Sequence, residues 1–536
     1  MLSEIPKAFY RLRFILPLVI AMLPNIILSF DEYIDPFSFS SVGLAQTYSQ
    51  DGKFVLHPYK VVGQLGWQAH ANDVSVRFFP PLLLVSLNQI TGLSLWQLHF
   101  LPIAGIMFIL LLYLLGKNLA QSALVATLYA VTMGYEFFPI NIYYISVGLN
   151  FFLIFLATWL KFVNLNEMKN AAILMLITFV AMFFSYYTAE FLALCFLLVT
   201  LTISYVSKKT ININVPKREL LTLSLILLII FAYFDNVVYH YLRIASVERG
   251  LESFSSYLNY VMRLLSFEER AILEYRPQIS NPFVVYTNAF QLAHIGFSLL
   301  VYVLYSMRKS RKKQSELTPT GLMILALFLV GLLQVLVYFF VGFGPHTWTL
   351  FLISSFTALL SLDKLRREMA KQNKRRIVAI LTIMMLLLPS LGFVKFKERL
   401  DDDVNPNGFR LHSLMKATVS WTTLHLTEGD IIADSRTAAQ FFMEVTKEGK
   451  TDYIRPYKIY RPHYLYTYDP ETPYRIFGEK VKYLVLSKEF KNRAFLAGEF
   501  WSYVPPLKSS LYFLNYYTSL NKIYDDGRGL VFEYRR

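Results

Sequence analysis

One cysteine, Cys195, stands in a chain of 536 residues. An intrachain disulfide and a cysteine-based zinc site are both excluded, and the sequence carries no mark of its redox compartment. Charge is scarce as well: 17% of residues are Asp, Glu, Lys or Arg, against about 25% in soluble chains. With 55% hydrophobic residues and a mean hydropathy of +0.41, this deficit excludes an ordinary soluble domain and points to a polytopic membrane protein. Acidic residues are the scarcer sign, 37 against 52 Lys and Arg, for a net charge of +15. The positive excess lies in short clusters between apolar runs, not on a continuous basic face, so nucleic acid is not the expected partner. Internal repeats, low-complexity tracts and any Trp-Trp pair are also missing.

What is abundant is apolar sequence in runs of membrane-crossing length. The first expected span is 14–30. Lys7, Arg11 and Arg13 precede it, which places the N-terminus in the cytoplasm. It contains Pro17 and Pro24 and lacks a small-residue cleavage site, so it reads as an uncleaved anchor and not a signal peptide. Further spans are expected at 95–116, 119–134, 143–163, 170–185, 189–206, 219–241, 284–306, 320–341, 346–362 and 377–394, eleven in all. The short loops assigned inside carry Lys117, then Lys161 and Lys169, then Lys208 to Arg218, Arg308 to Lys313 and Lys364 to Arg376. The short loops assigned outside, 135–142, 186–188 and 342–345, carry no Lys or Arg. One topology satisfies them all, and eleven crossings leave the C-terminus outside.

The first external segment, 31–94, opens on Asp31-Glu32-Tyr33-Ile34-Asp35-Pro36 and runs through a helix-like Phe39–Gln50 to Asp51-Gly52. It then reaches Arg77-Phe78-Phe79-Pro80-Pro81. Carboxylates at a membrane boundary are costly unless water, a cation or a substrate compensates them. Phe78–Ile90 is apolar but too short to cross, and Pro80-Pro81 suits a helix start, so an interfacial helix is expected there. A second external segment, 242–283, mixes Arg243, Arg249 and Arg276 with Glu residues at helical spacing. Beyond residue 394 charge rises. Strand-like runs appear at Ile431–Ala433, Tyr483–Ser487 and Leu530–Tyr534, with a helix-like Ala438–Thr446 and a hairpin signal at Asp526-Gly527. The expected architecture is a polytopic α-helical membrane domain, 1–394, followed by a small extracytoplasmic α/β domain, 395–536.

Four short motifs, in this order and on one side of the membrane, carry a resemblance. They are Asp35-Pro36-Phe37 leading through Ala45 to Asp51-Gly52; Arg77 before Pro80-Pro81-Leu82; Thr91-Gly92-Leu93-Ser94-Leu95-Trp96; and Glu136 in Gly134-Tyr135-Glu136-Phe137-Phe138-Pro139. Over residues 10–400 the pattern resembles the GT-C superfamily of membrane glycosyltransferases. These include protein O-mannosyltransferases, the aminoarabinose transferase acting on lipid A, and oligosaccharyltransferase catalytic subunits. The Trp-Trp-Asp-Tyr-Gly motif of oligosaccharyltransferases is absent, and two phenylalanines separate Arg77 from the prolines.

The resemblance implies transfer of a sugar from a polyprenyl-phosphate donor to a glycan, lipid or protein acceptor at the extracytoplasmic face of the plasma membrane. An acceptor hydroxyl is a poor nucleophile, and a carboxylate that takes its proton is worth about 10²–10⁴ in rate. Asp35 is the expected base, with Asp31 and Glu32 as alternatives. Asp35 and Glu136 either bind a divalent cation, Mg²⁺ or Mn²⁺, or steer base and acceptor without one; the superfamily contains both kinds. The leaving lipid phosphate needs a cation, and Arg presents a planar fork to phosphate. The candidates are Arg77, Arg243, Arg249 and Arg276, with His346 at the mouth of a later span. Other readings of the same residues are a solvated turn at 31–35, Arg–Glu surface pairs in 242–283, and a loop surface for His57, His70 and Asp73. At the level of function the rivals are a lipid-linked glycan transporter, which would need ionisable residues through its bundle, and a non-catalytic membrane assembly protein.

Overall fold

Apolar runs of this length become helices because the backbone must satisfy its own hydrogen bonds where water is absent. In a computed structural model, the structure describes residues 5–30, 33–34, 41–42, 45, 48–49, 78–136, 142, 144–163, 167–206, 215–238, 319–341, 348–400, 409–410, 416–426, 430–433, 459–460, 481–487, 495–497, 502–504 and 520–534. The helices are α1 (Ile5–Phe30), α2 (Phe79–Thr91), α3 (Leu95–Phe100), α4 (Ile103–Ala120), α5 (Ala123–Glu136), α6 (Tyr144–Val163) and α7 (Met168–Phe183). They continue with α8 (Tyr187–Val206), α9 (Lys217–Val238), α10 (Pro319–Val341), α11 (Trp348–Lys371), α12 (Arg375–Leu400) and α13 (Lys416–His425). A helix occupies each expected span except 284–306, which lies outside the described residues. Among the described residues, three stretches are long and apolar enough to cross a membrane: Leu95–Ala120, Ile145–Val163 and Ala189–Val206.

The packing agrees with a lipid environment. Leu110 and Leu114, Ile173 and Ile177, Leu225 and Ile229, and Ile380, Ile383 and Leu387 are exposed at helical spacing. In water such apolar stripes would drive association; facing acyl chains they need no partner. The inward faces bury Trp159, Tyr129, Phe108, Phe152, Phe155 and Phe196 in one continuous core. The chain is a mostly helical membrane protein.

Helix α1 begins at Ile5, before the expected 14, and α12 runs to Leu400, past the expected 394; two further departures have a local cause. The second span begins as α3, breaks at Leu101-Pro102 and resumes as α4. Pro102 has no N–H for the Leu98 carbonyl, so the helix cannot run through. Helix α11 outlasts its expected end at 362 and continues to Lys371. The buried Asp363 explains this. One carboxylate oxygen accepts from Arg366 at 2.7 Å and the other pairs with Arg367 at 2.7 Å, so the basic turn closes on its own counter-charge.

The expected short helix at 78–90 is present as α2, with prolines in its first turn. It ends on Gly92 in the left-handed region, φ 72°, whose N–H donates to the Asn88 carbonyl at 2.9 Å. Ser94 then caps α3 in a reciprocal box: Gln97 N–H donates to Ser94 Oγ, and Ser94 N–H donates to Gln97 Oε1. The Thr91–Trp96 motif is therefore a helix stop followed directly by a helix start.

The strands are β1 (Tyr33–Ile34), β2 (Phe409–Arg410), β3 (Asp430–Ala433), β4 (Ile459–Tyr460), β5 (Val481–Ser487), β6 (Phe495–Ala497), β7 (Ser502–Val504), β8 (Leu520–Asp525) and β9 (Gly529–Tyr534). Five form a mixed sheet in the order β4-β3-β5-β9-β8, parallel on either side of β3 and antiparallel around β9. Val419 of α13 and Leu426 just after it pack with Ile431, Val485 and Val531. The three strands expected from the sequence are present, and the expected helix at 438–446 lies outside the described residues. The hairpin forms at Asp526-Gly527, where Gly527 has φ +86°. Asp526 Oδ1 accepts from the N–H groups of Arg528 (2.8 Å) and Gly529 (2.6 Å), while Thr418 Oγ1 donates to Oδ2 at 2.7 Å. Burial acts to raise the Asp526 pKa, but these donors outweigh it and hold the carboxyl below its ordinary range. Separately, β1 pairs with β2: Tyr33 lies opposite Arg410 and Ile34 opposite Phe409.

Candidate active site

The end of the bundle beside the acidic loop is built from helix termini. Helix α1 stops at Phe30, one residue before Asp31, and β1 stops at Ile34, one residue before Asp35. Helix α5 stops at Glu136 and reaches α1 through Gly134. A methyl group at Gly134 would stand 2.6 Å from the Ala21 carbonyl oxygen and 2.5 Å from Ile109 Cδ1, so only glycine permits this approach. The contact lies two residues before Glu136 on α5 and nine residues before Phe30, the last residue of α1.

The residues after Arg77 are anchored at a second corner. The Phe78 and Phe184 rings lie 4.4 Å apart, the Phe79 N–H donates to the Phe184 carbonyl at 3.2 Å, and the Phe79 ring meets Phe151 edge-on at 5.3 Å. Phe184 is in the turn between α7 and α8, where Tyr186 packs over Gly148 of α6. One helical turn further, Glu190 is 1% exposed in the first turn of α8, where a carboxylate suits the helix dipole. The backbone beside Arg77 and the buried Glu190 therefore share one corner.

Between these corners lies polar chemistry that the sequence reading passed over. Helix α4 begins at Ile103 with its first turn flanked by two buried amides. Asn150 Nδ2 of α6 donates to the Ala104 carbonyl at 3.1 Å, and Asn25 of α1 lies against Gly105. Ser29 Oγ donates to the Phe100 carbonyl, and His99 is fully buried beside Trp96. The signal was available: Pro102, and an Asn in each of two apolar runs, mark polar sites inside a bundle. Above them, the helix-like piece of the first loop has helical backbone at residues 41–42, 45 and 48–49. Val42, Ala45 and Tyr48, at helical spacing, pack on Leu84, Leu98, Ala104 and Val147. Burial pushes the Tyr48 phenol up to about 12, so it remains a protonated hydrogen-bonding group at working pH.

Asp31, Glu32, Asp35, Arg77, Arg243, Arg249, Arg276 and His346 lie outside the described residues, as do His57, His70 and Asp73; Glu136 is described as the last backbone position of α5. Among the described residues, no three His, Cys, Asp or Glu side chains gather as a metal site.

No protein-family model matches this sequence, and no curated protein does. In structure, the chain is similar to the apo crystal structure of the Archaeoglobus fulgidus oligosaccharyltransferase. The TM-score is 0.55 at 13% identity, over 89% of this chain and 70% of that one. The two chains share a fold. Crystal structures of ArnT from Cupriavidus metallidurans also align with this chain at 11% identity. The form bound to undecaprenyl phosphate gives a TM-score of 0.47 over 97% of each chain, and the apo form 0.45 over 98% of each.

Proposed function

We propose that this protein is a membrane glycosyltransferase that moves a sugar from a polyprenyl-phosphate donor to a hydroxyl-bearing glycan, lipid or protein acceptor. The observation that carries the reading is the likeness of the fold to that of a lipid-linked-donor GT-C enzyme, the oligosaccharyltransferase. In support, α5, which ends at Glu136, packs through Gly134 on Ala21 of α1, the helix that precedes Asp31, and the Phe79 N–H beside Arg77 donates to the Phe184 carbonyl. Asp35 takes the acceptor proton as the new glycosidic bond forms. Glu136 orients the acceptor and the base, and with Asp35 is the pair that would hold a divalent cation, which when bound supplies charge to the departing phosphate. Arg77 donates to the leaving phosphate, with Arg243, Arg276 or His346 as the second cation. The topology of the reading is eleven crossings with a cytoplasmic N-terminus, and residues 395–536 form an extracytoplasmic domain.

The test is transfer from a radiolabelled polyprenyl-phosphate sugar by the full chain in nanodiscs. Asp35→Asn is expected to lose about 10²–10⁴ in rate while keeping the wild-type melting curve. A well-folded Asp35→Asn protein with full activity would remove Asp35 from the role of base. A wild type that exports lipid-linked sugar without cleaving it would favour the transporter instead.

A further inference from the structure

From Met369 to Lys397 the sequence holds no Asp or Glu, and Lys371, Lys374, Arg375 and Arg376 crowd the turn between α11 and α12. Arg366 and Arg367, one turn earlier, are engaged by Asp363. The other four are exposed, and among the described residues none of their side chains meets a carboxylate. The backbone fixes where they stand. Asn373 takes the left-handed region, φ 57°; its N–H donates to the Ala370 carbonyl and the Lys374 N–H to the Met369 carbonyl, each at 3.0 Å. That pair of bonds is a tight helix stop, and α12 starts at once on Arg375. The two arginines that open α12 face the positive end of its dipole, and no acid stands in that first turn. They do not stabilise the helix they begin. Directly beyond them α12 exposes Ile377, Ile380, Ile383 and Leu387. Arg376 precedes Ile380 by four residues and so crowns the same lipid-facing stripe. Lys374, Arg375 and Arg376 lie within one helical turn of Ile377, about 5 Å along the axis. This is headgroup depth, where a long basic stem follows the acyl chains and its charged end reaches a phosphate.

We propose that the turn between α11 and α12 is a docking surface for anionic phospholipid headgroups, with Lys371, Lys374, Arg375 and Arg376 as its contacts. Two observations select this occupant: the charge of the cluster, which has no counter-ion of its own, and its continuity with the lipid-facing stripe of α12. A zwitterionic headgroup covers its phosphate with its own amine, whereas phosphatidylglycerol keeps a net negative charge, so the surface prefers the latter. Two arginines add planar forks that suit phosphate oxygens. In the expected topology the turn meets the cytoplasmic leaflet, where anionic lipid and basic loops attract each other. The surface is independent of the transfer chemistry proposed above.

The experiment titrates the full chain, in a neutral detergent, with phosphatidylglycerol or phosphatidylcholine and counts bound lipid by native mass spectrometry. Phosphatidylglycerol is expected to bind more tightly. The triple variant Lys374→Gln, Arg375→Gln, Arg376→Gln should lose about 100-fold of that affinity, at roughly fivefold per charge, with phosphatidylcholine unaffected. The charge-keeping variant Arg375→Lys, Arg376→Lys should retain most of it. Lys217→Gln with Arg218→Gln, a basic pair beside Glu219 at the start of α9, should change little. Equal binding of the two lipids, or unchanged phosphatidylglycerol binding in the triple variant, would overturn the proposal. So would a loss of equal size from the α9 pair, which would mean diffuse attraction, or displacement of the lipid by inorganic phosphate, which would mean a soluble anion. Should the triple variant fail to fold, the wild type decides. Its preference for phosphatidylglycerol should shrink as salt rises from about 0.1 to 1 M and the Debye length falls from about 10 to 3 Å. A preference indifferent to salt would overturn the role of charge.

Discussion

Gly134→Ala tests whether the contact of α5 with α1 sets the site. The added methyl would lie 2.6 Å from the Ala21 carbonyl oxygen, where ordinary contact begins at 3.4 Å, so α5 must withdraw by about 0.8 Å or tilt. The second obstacle, Ile109 Cδ1 at 2.5 Å, is the far end of a flexible side chain and can move aside. The Ala21 carbonyl belongs to helix backbone and cannot. Overpacking of this kind costs about 1–3 kcal/mol. Its effect on rate should exceed its effect on stability, because Glu136 is two residues from the displaced position and a misplacement near 1 Å costs about 100-fold in a positioned reaction. The assay is the melting temperature and transfer rate of Gly134→Ala, alone and with Ile109→Val. The expected result is a modest loss of stability, a loss of rate near 100-fold, and little rescue by Ile109→Val. Wild-type activity with an unchanged melting temperature would refute the argument. Full rescue by Ile109→Val would show that the side chain, not the backbone approach, is the limiting contact.

Two further predictions concern charge. Arg366 is 28% exposed and Arg367 53%, yet both bind the buried Asp363, so Arg366→Ala should destabilise more than Arg367→Ala. Asp363→Asn, which strips both of their counter-charge, should cost most, about 1–3 kcal/mol in thermal unfolding; a larger loss from Arg367→Ala would contradict this ordering. For the hairpin Leu520–Tyr534, the depressed Asp526 pKa means its stabilisation is complete above the ordinary carboxyl value of 3.8 and is lost as pH falls through the lower folded-state value. Amide exchange should show constant protection from neutral pH down to about 4 and a fall only in stronger acid. Asp526→Ala should lower protection already at neutral pH, and unchanged protection there would dismiss the capping role.

The helices were legible because each expected span is an apolar run bounded by polar residues, and such a run in lipid has one good conformation. Helix ends were less legible. The end of α11 depends on Asp363 finding Arg366 and Arg367 on its own face, and the break before α4 depends on Pro102 being placed where neighbouring helices tolerate it. The β8–β9 hairpin was written in Asp526-Gly527, since that turn requires a residue tolerant of positive φ. Thr91–Trp96 was noticed for its resemblance, while its local chemistry of glycine stop and serine cap was the firmer signal. Asn25, His99 and Asn150 were missed because a polar residue in an apolar run has no periodic pattern; only the packing of α1, α4 and α6 shows that Asn25 and Asn150 flank one turn of α4. The β1–β2 ladder joins positions too far apart in sequence for any local rule to connect.

That ladder also constrains the route of the chain. Two segments hydrogen-bonded to each other occupy one compartment, so the polypeptide from Ile34 to Phe409 must cross the bilayer an even number of times. The proposed ten crossings after the first helix satisfy this rule, and nine or eleven would violate it. Any revision of the span count between these strands must therefore add or remove crossings in pairs. The parity also makes the compartment of residue 410 a direct report on that of residue 33.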